Sequence, residues 1–213
     1  MQTKKDGQSS KMTMEGLLDR RTVTLVGQIT HNSIAEAMRE LLELQLQSSS
    51  PINLIIDSGG GSTYDSFRLC DFISVVMTAP VRGIAIGQCG SSATFVMLHC
   101  SERISTPHAH FLIHSGTHSN IQIPINQTSS ENLEHLLSDT KRTEELVLRL
   151  YMNRLTPPAW KKKRPTEKVR RAYVQKLISR GDQRFDQMMT AEEAVECGLV
   201  TKIIDAKLDI FSK

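Results

Sequence analysis

Aromatic residues make up only 5% of the 213 residues, and tryptophan occurs once. That excludes a base-stacking surface for nucleic acid, which needs several aromatic faces, and leaves an aliphatic core. No apolar run approaches the roughly 18 residues of a membrane-spanning helix, so no membrane partner is expected. No CxxC pair occurs; Cys70, Cys89, Cys100 and Cys197 are scattered through apolar or mixed sequence. They read as buried, reduced thiols of a cytoplasmic protein. Lysine is missing from residues 12 to 140, which speaks against a Ser–Lys hydrolytic pair in that stretch. The opening MQTKKDGQSSKMTMEG has no apolar stretch behind its lysines, as a secretory signal would. Residues 1–16 are expected to be a flexible polar tail.

What is present suits one domain, expected over residues 17–213. Hydrophobic residues reach 39%, and the net charge of +3 is mild. Its distribution is not mild: Lys141 to Arg180 holds 13 Lys and Arg against 3 Glu. Within it, Lys161, Lys162, Lys163, Arg164, Lys168, Arg170 and Arg171 read as a solvated basic insertion at about 156–172. The competing reading is a docking surface for an acidic partner or nucleic acid.

Along the chain, strand-like and helix-like segments alternate. TVTLVG from Thr22 is short and β-branched. After Ser33, residues Ile34, Met38, Leu41 and Leu42 form one helical stripe, widened by Leu44 and Leu46. INLIID from Ile52 reads as a buried strand, SGGGS as a turn, and TYDSFRLCDFISVVMT as an amphipathic helix stopped by Pro80. VRGIAIG is another buried strand, and QCGSSATFVMLHC a turn feeding a small-residue helix. ERIST and HFLIH are short strands, and IQIPINQ an irregular β arm. Thr128 to Glu131 has the pattern of a capping box. The helix it opens carries Leu133, Leu136, Leu137, Val147, Leu148 and Tyr151, and ends at the prolines after Thr156. A second capping box, Thr190 to Glu193, opens a short helix closed by Gly198, and LVTKII is a last strand. This alternation predicts an α/β fold with a largely parallel sheet.

Three of these segments end a buried strand at the sheet's carboxyl edge, where sites gather: SGGGS, GQCGSSA and the HSG after HFLI. Ser91 and Ser92 lie where a helix begins, beside free amides that favour developing negative charge. The bland reading of Ser91 is a helix N-cap. Gly59, Gly60 and Gly61 offer a second set of close-approaching amides, and two amides from two such turns make an oxyanion hole. As a phosphate loop the glycines lack the following lysine. A serine needs a base, and His99, His108, His110, His114 and His118 are candidates. His114 ends a buried strand, which would hold it at the sheet edge. His108, His110 and His118 have no acid or cysteine nearby to complete a metal site, so no metal is expected.

LLDRRTVTLVGQI, IDSGGGS, GQCGSSATFVM, FLIHSG and DQMMTAEEAVECGLVTKI together resemble the proteolytic subunit of the ATP-dependent Clp protease, the ClpP family. The resemblance runs from about Leu17 to Ile204. It implies Ser91 as nucleophile, His114 as general base and Asp186 as the acid orienting that base. Asp182, four residues earlier, is the rival acid. The implied oxyanion amides are those of Gly60 and Ser92. The implied fold is the ClpP/crotonase-like spiral of ββα units, with a protruding handle at about 115–155. The implied function is endopeptidase action on unfolded polypeptides, with no cofactor. It takes place in two stacked seven-membered rings of identical subunits fed by an AAA+ unfoldase ATPase.

The chain departs from the family pattern at several places. Gly59 stands where proline is usual, Ser92 and Ala93 where methionine and glycine are, Ser115 where glutamine follows the histidine, and Phe185 where arginine precedes the aspartate. The alternative reading is a catalytically weak or inactive ring subunit with a structural role. A third is an acyl-CoA-handling crotonase-like enzyme, which shares the two-amide logic without the Ser–His pair.

Overall fold

A computed structural model describes residues 20–115, 129–183 and 188–205 of the chain. Strand β1 (Thr22–Ile29) pairs with β2 (Ile52–Gly61), and β2 with β3 (Val81–Gly90). The far edge of β3 is shared. Its residues Arg82–Ala85 pair with β4 (Glu102–Ser105), and Gln88–Gly90 with β5 (His110–Leu112). The two-residue β6 (Lys202–Ile203) adds to β4. All of these pairings are parallel. Parallel neighbours need crossovers, which α1 (His31–Gln47), α2 (Thr63–Asp71) and α3 (Ser92–His99) supply. The result is a mixed α/β architecture on a parallel sheet. Its core is aliphatic, built on Leu25, Ile34, Leu41, Leu54, Ile56 and Met97. Among the described residues no helix is long and apolar enough to cross a membrane.

Several boundaries differ from those the sequence suggests. Helix α1 starts three residues earlier, because Thr30 caps it and Ser33 reciprocates as the third helical residue. Its buried stripe is Ile34, Ala37, Leu41 and Leu44, while Leu46 is 80% exposed. Strand β2 runs on through the glycines, held by pairing with β1 at Gln28↔Gly60 and Ile29↔Gly61. The segment before Pro80 leaves the α-helix at Asp71 for a π-turn over Phe72–Val76. Every residue of α3 from Ser92 to Leu98 is buried, as expected of a helix without a polar face.

The long helix α4 (Ser130–Arg154) is capped by Ser129, which accepts from the Asn132 amide at 3.2 Å. The box expected at Thr128 begins outside the described residues, as do the IQIPINQ arm and His118. The second expected box is present: Thr190 and Glu193 cap α6 (Ala191–Glu196) reciprocally.

The basic stretch holds an element that the periodicity analysis leaves unassigned, α5 (Glu167–Gln183). Buried Val174 and half-buried Tyr173, Leu177 and Ile178 pack on the core, but are interleaved with cationic residues. Three arginines of the basic stretch are not merely solvated. Arg164 donates to the Asn153 carbonyl (3.0 Å), Arg170 to that of Met152 (2.9 Å), and Arg171 to both carboxylate oxygens of Glu145 (2.7 and 2.9 Å). Trp160 meets Tyr173 edge-on with centroids 5.2 Å apart.

Glu145 also accepts from Arg149 at 2.8 Å. The hydrogen bonds from Arg171, then from Arg149, lower its carboxyl from 4.5 to about 2. Because the folded value lies below the unfolded one, the pairing contributes above about pH 4.5 and is lost as pH falls toward 2. Trp160 emission should therefore change over that range in the wild type. An Arg171→Met variant should lack this step; an unchanged acid titration in the variant would show that α5 is not held through Glu145.

Candidate active site

Three chain segments meet at the carboxyl edge of the sheet. Strands β2 and β3 are neighbours, so the glycines ending β2 lie against the turn that ends β3. Gly60 has φ 102°. A Cβ there would stand 2.7 Å from Cβ of Ser91, 2.8 Å from the Gly90 carbonyl oxygen and 3.0 Å from the Ser92 nitrogen. Only glycine permits this approach. On the other side of β3, the Ser91 amide donates to the Leu112 carbonyl at 2.7 Å. That extends the Gly90↔Leu112 register by one step and brings the chain leading to His114 alongside.

Ser91 has φ 51° and ψ −129°, a conformation that costs a non-glycine residue about 1–3 kcal/mol. Its backbone is held at both ends. Its carbonyl accepts from the Thr94 amide (3.0 Å) and hydroxyl (2.6 Å), and the Thr94 hydroxyl lies 2.7 Å from that of buried Tyr151. Its side chain makes no capping bond to α3, so the N-cap reading fails. Ser91 thus stands at a sharp turn from β3 into α3 with its hydroxyl not used as a cap.

Ser92 is different. Its hydroxyl accepts from the Gly61 amide (3.0 Å) and donates to the Gly61 carbonyl (3.3 Å). That double bond to β2 engages the Ser92 side chain, while its amide, first in α3, has no acceptor within the helix. The Gly60 amide has a resting partner, the buried Ser58 hydroxyl at 3.1 Å. A developing oxyanion is the stronger acceptor.

His114 lies two residues past β5 and is 7% exposed. Burial holds its pKa below the ordinary 6.5, and the charge of Asp182 acts in the opposite direction. The Asp182 Oδ1 is 3.9 Å from His114 Nδ1, an ion-pair distance too long for a hydrogen bond. That oxygen accepts from the amide (2.9 Å) and hydroxyl (3.0 Å) of Ser115. The end of α5 is brought there by Gly181, where any Cβ would run into the Ile113 carbonyl. Asp186 lies outside the described residues.

Of the other histidines, His99 turns to the Phe95 carbonyl at 2.8 Å within its own helix, and His108 and His110 are exposed. Among the described residues no three His, Cys, Asp or Glu side chains could share a metal. The four cysteines are free and buried. Burial pushes the thiols up, Cys197 to about 11 and Cys100 to about 12, which leaves them unreactive at neutral pH.

A model of the Clp protease family matches residues 5–207. This chain belongs to the Clp protease family. It is 28% identical over 199 residues to the ATP-dependent Clp protease proteolytic subunit 1 of Protochlamydia amoebophila, covering 92% of this chain and 86% of that one. It is 29% identical over 211 residues to proteolytic subunit 2 of Treponema denticola, covering 94% and 90%. Against subunit 1 of Chlamydia caviae it is 28% identical over 191 residues, covering 88% of each.

Sequence reasoning missed the Ser58, Thr94–Tyr151 and Ser115–Asp182 contacts. A hydroxyl two residues before a glycine hints at the first. Nothing in the spacing announces the other two, which join residues 57 and 67 positions apart.

The glycines make a sharp contrast. Gly60→Ala should cost about 2–4 kcal/mol, because its Cβ meets backbone at a positive φ. Gly59→Ala should stay within about 1 kcal/mol, because its Cβ meets only the movable end of Gln88 at 3.1 Å. Urea unfolding of both variants measures this; equal costs would contradict the described packing at Ser91.

Proposed function

We propose that the chain is a serine endopeptidase acting on unfolded polypeptides as the proteolytic subunit of a Clp-type chambered protease. The observation that supports this best is the Ser91 backbone. It is strained, pinned on both sides, and carries a hydroxyl that caps nothing. Structural serines at helix starts normally use the hydroxyl as a cap.

In this reading the Ser91 Oγ attacks a peptide carbonyl and its proton passes to His114. The tetrahedral oxyanion is met by the amides of Ser92 and Gly60, the latter exchanging Ser58 for the stronger acceptor. His114 then gives its proton to the leaving amine, and water repeats the sequence to release the acid. Asp186 orients His114. Asp182 is the less suited acid, since its near oxygen is already engaged by two Ser115 donors. No cofactor takes part.

Assembly belongs to the same proposal: a cytoplasmic homo-oligomer of two stacked seven-membered rings, supplied by an AAA+ ATPase. The relatives are named ATP-dependent proteolytic subunits. Helix α4 suits the protruding handle of a ββα spiral. Its first half leaves Leu133 43% and Leu137 53% exposed, while Val147, Leu148 and Tyr151 farther along are buried.

A fluorophosphonate probe should label the assembled protein, and Ser91→Ala should lose both labelling and model-peptide hydrolysis. No labelling of the assembled wild type would favour the inactive ring subunit, and wild-type hydrolysis by Ser91→Ala would remove Ser91 from the mechanism. Asp186→Asn should lower turnover by about 10³–10⁴-fold through the wrong histidine tautomer. Asp182→Asn should instead shift the acid limb of the pH–rate curve to lower pH, since Asp182 raises the His114 pKa. The reverse pattern would make Asp182 the triad acid. In the wild type the rate should fall only below pH 6.5, as burial holds the imidazole under that value; a profile flat to about pH 5 would count against His114.

A further inference from the structure

The basic stretch that follows α4 and runs into the first turns of α5 divides by residue type. Its arginines are committed: Arg164 and Arg170 to carbonyls ending α4, Arg171 to Glu145. Its lysines are not. Lys161, Lys162, Lys163 and Lys168 are all exposed, and among the described residues none forms an ion pair. The sequence offers no carboxylate from Leu146 to Thr166, around Lys161, Lys162 and Lys163, and Glu167 is the one acid beside Lys168. Maintaining four like charges on one short segment is unfavourable unless something opposite in charge arrives.

Beside them is an open cavity of about 150 Å³ lined by Leu155, Thr156, Pro157, Trp160, Lys161 and Arg164. Pockets for drug-sized ligands run about 300–1,000 Å³, so this one has room for about one side chain. Its floor is apolar, and its indole is braced by Tyr173. A preformed apolar socket under a cationic rim fits one apolar side chain flanked by carboxylates.

We propose that this surface docks an acidic peptide segment of another protein, with one aliphatic or aromatic side chain in the Trp160 socket. Charge complementarity chooses the occupant. Phosphate backbones are best gripped by free arginine forks, and here Arg171 is bidentate on Glu145 while Arg164 and Arg170 each already spend a nitrogen on an α4 carbonyl. A nucleic-acid strand would also need more than one stacking face. The inference stands whether or not the chain hydrolyses peptides.

Trp160 is the only tryptophan, so at a fixed neutral pH, where Glu145 stays ionised, its fluorescence reports on this socket. The full-length protein is titrated with the acetylated, amidated peptide EEELEEE, and with EEEAEEE and oligouridylate as comparisons. EEELEEE should change the Trp160 emission saturably. Replacing its leucine by alanine should weaken binding about tenfold, the worth of burying one aliphatic side chain. The triple variant Lys161→Gln/Lys162→Gln/Lys163→Gln, altered only at exposed positions, should also bind about tenfold more weakly, the sum of three exposed charge contacts. Any of the following would overturn the proposal: no saturable change, equal binding of the alanine peptide, tighter binding of oligouridylate, or unchanged binding by the triple variant. An emission change on concentrating the protein alone, abolished in that variant, would assign the surface to a second copy and equally overturn it.

Discussion

Strand β3 meets two partners where it ends, and the geometry of Ser91 follows from both. On one side Gly60 of β2 lies so close that its missing Cβ would overlap that of Ser91. On the other, the Ser91 amide is bound to the Leu112 carbonyl. A serine free to relax would leave φ 51° and release its strain. Here the relaxed conformer would have to push against β2 or break from β5, and Thr94 and Tyr151 hold the carbonyl besides. Strain is retained because the surrounding packing over-determines the turn. The oxyanion amides proposed above belong to Gly60 of β2 and to Ser92, the next residue after Ser91, so whatever fixes the hydroxyl fixes them too.

A second physical pattern concerns helix ends. The last four carbonyls of α4 have no intrahelical donor, and the following Pro157 and Pro158 carry no N–H to offer. The Tyr151 carbonyl accepts from the Leu155 amide, that of Met152 from Arg170, that of Asn153 from Arg164, and that of Arg154 from Arg103. Arg21 does the same for α1, donating to the carbonyls of Leu44 and Ser48. A guanidinium fork suits this task, since it reaches several carbonyls and favours the negative end of the helix dipole. Part of the cationic character that looks like surface decoration is therefore internal carpentry, while Lys161, Lys162, Lys163 and Lys168 face outward.

Much of this was legible from residues alone. The strands were readable because buried parallel strands are continuous apolar runs, and Ser91, Gly60 and His114 fell at their ends. The rest was hidden for identifiable reasons. Leu46 looked like part of a stripe, but it lies two residues, about 200° of helical rotation, from fully buried Leu44 and so faces solvent. The glycines after Asp57 looked like a turn, since glycine weakens strands, yet pairing with Gln28 and Ile29 keeps them extended. Helix α5 went unseen because its apolar residues share a stretch with arginines whose targets lie on another helix. Ser115 and Asp182 meet across 67 positions, a distance over which spacing carries no signal.

These contacts run unbroken from the outer helix to the histidine. Glu145 of α4 holds Arg171 of α5, α5 presses Gly181 against Ile113, and Asp182 binds Ser115. Contiguity alone is not coupling. What gives this route physical content is its lack of slack at Gly181, where not even a methyl group fits between helix and strand. A shift of α5 along its axis would have to move the Ile113 backbone, and His114 is the next residue. The Glu145 carboxylate and the His114 imidazole thus stand at the two ends of one run of close contacts through α5.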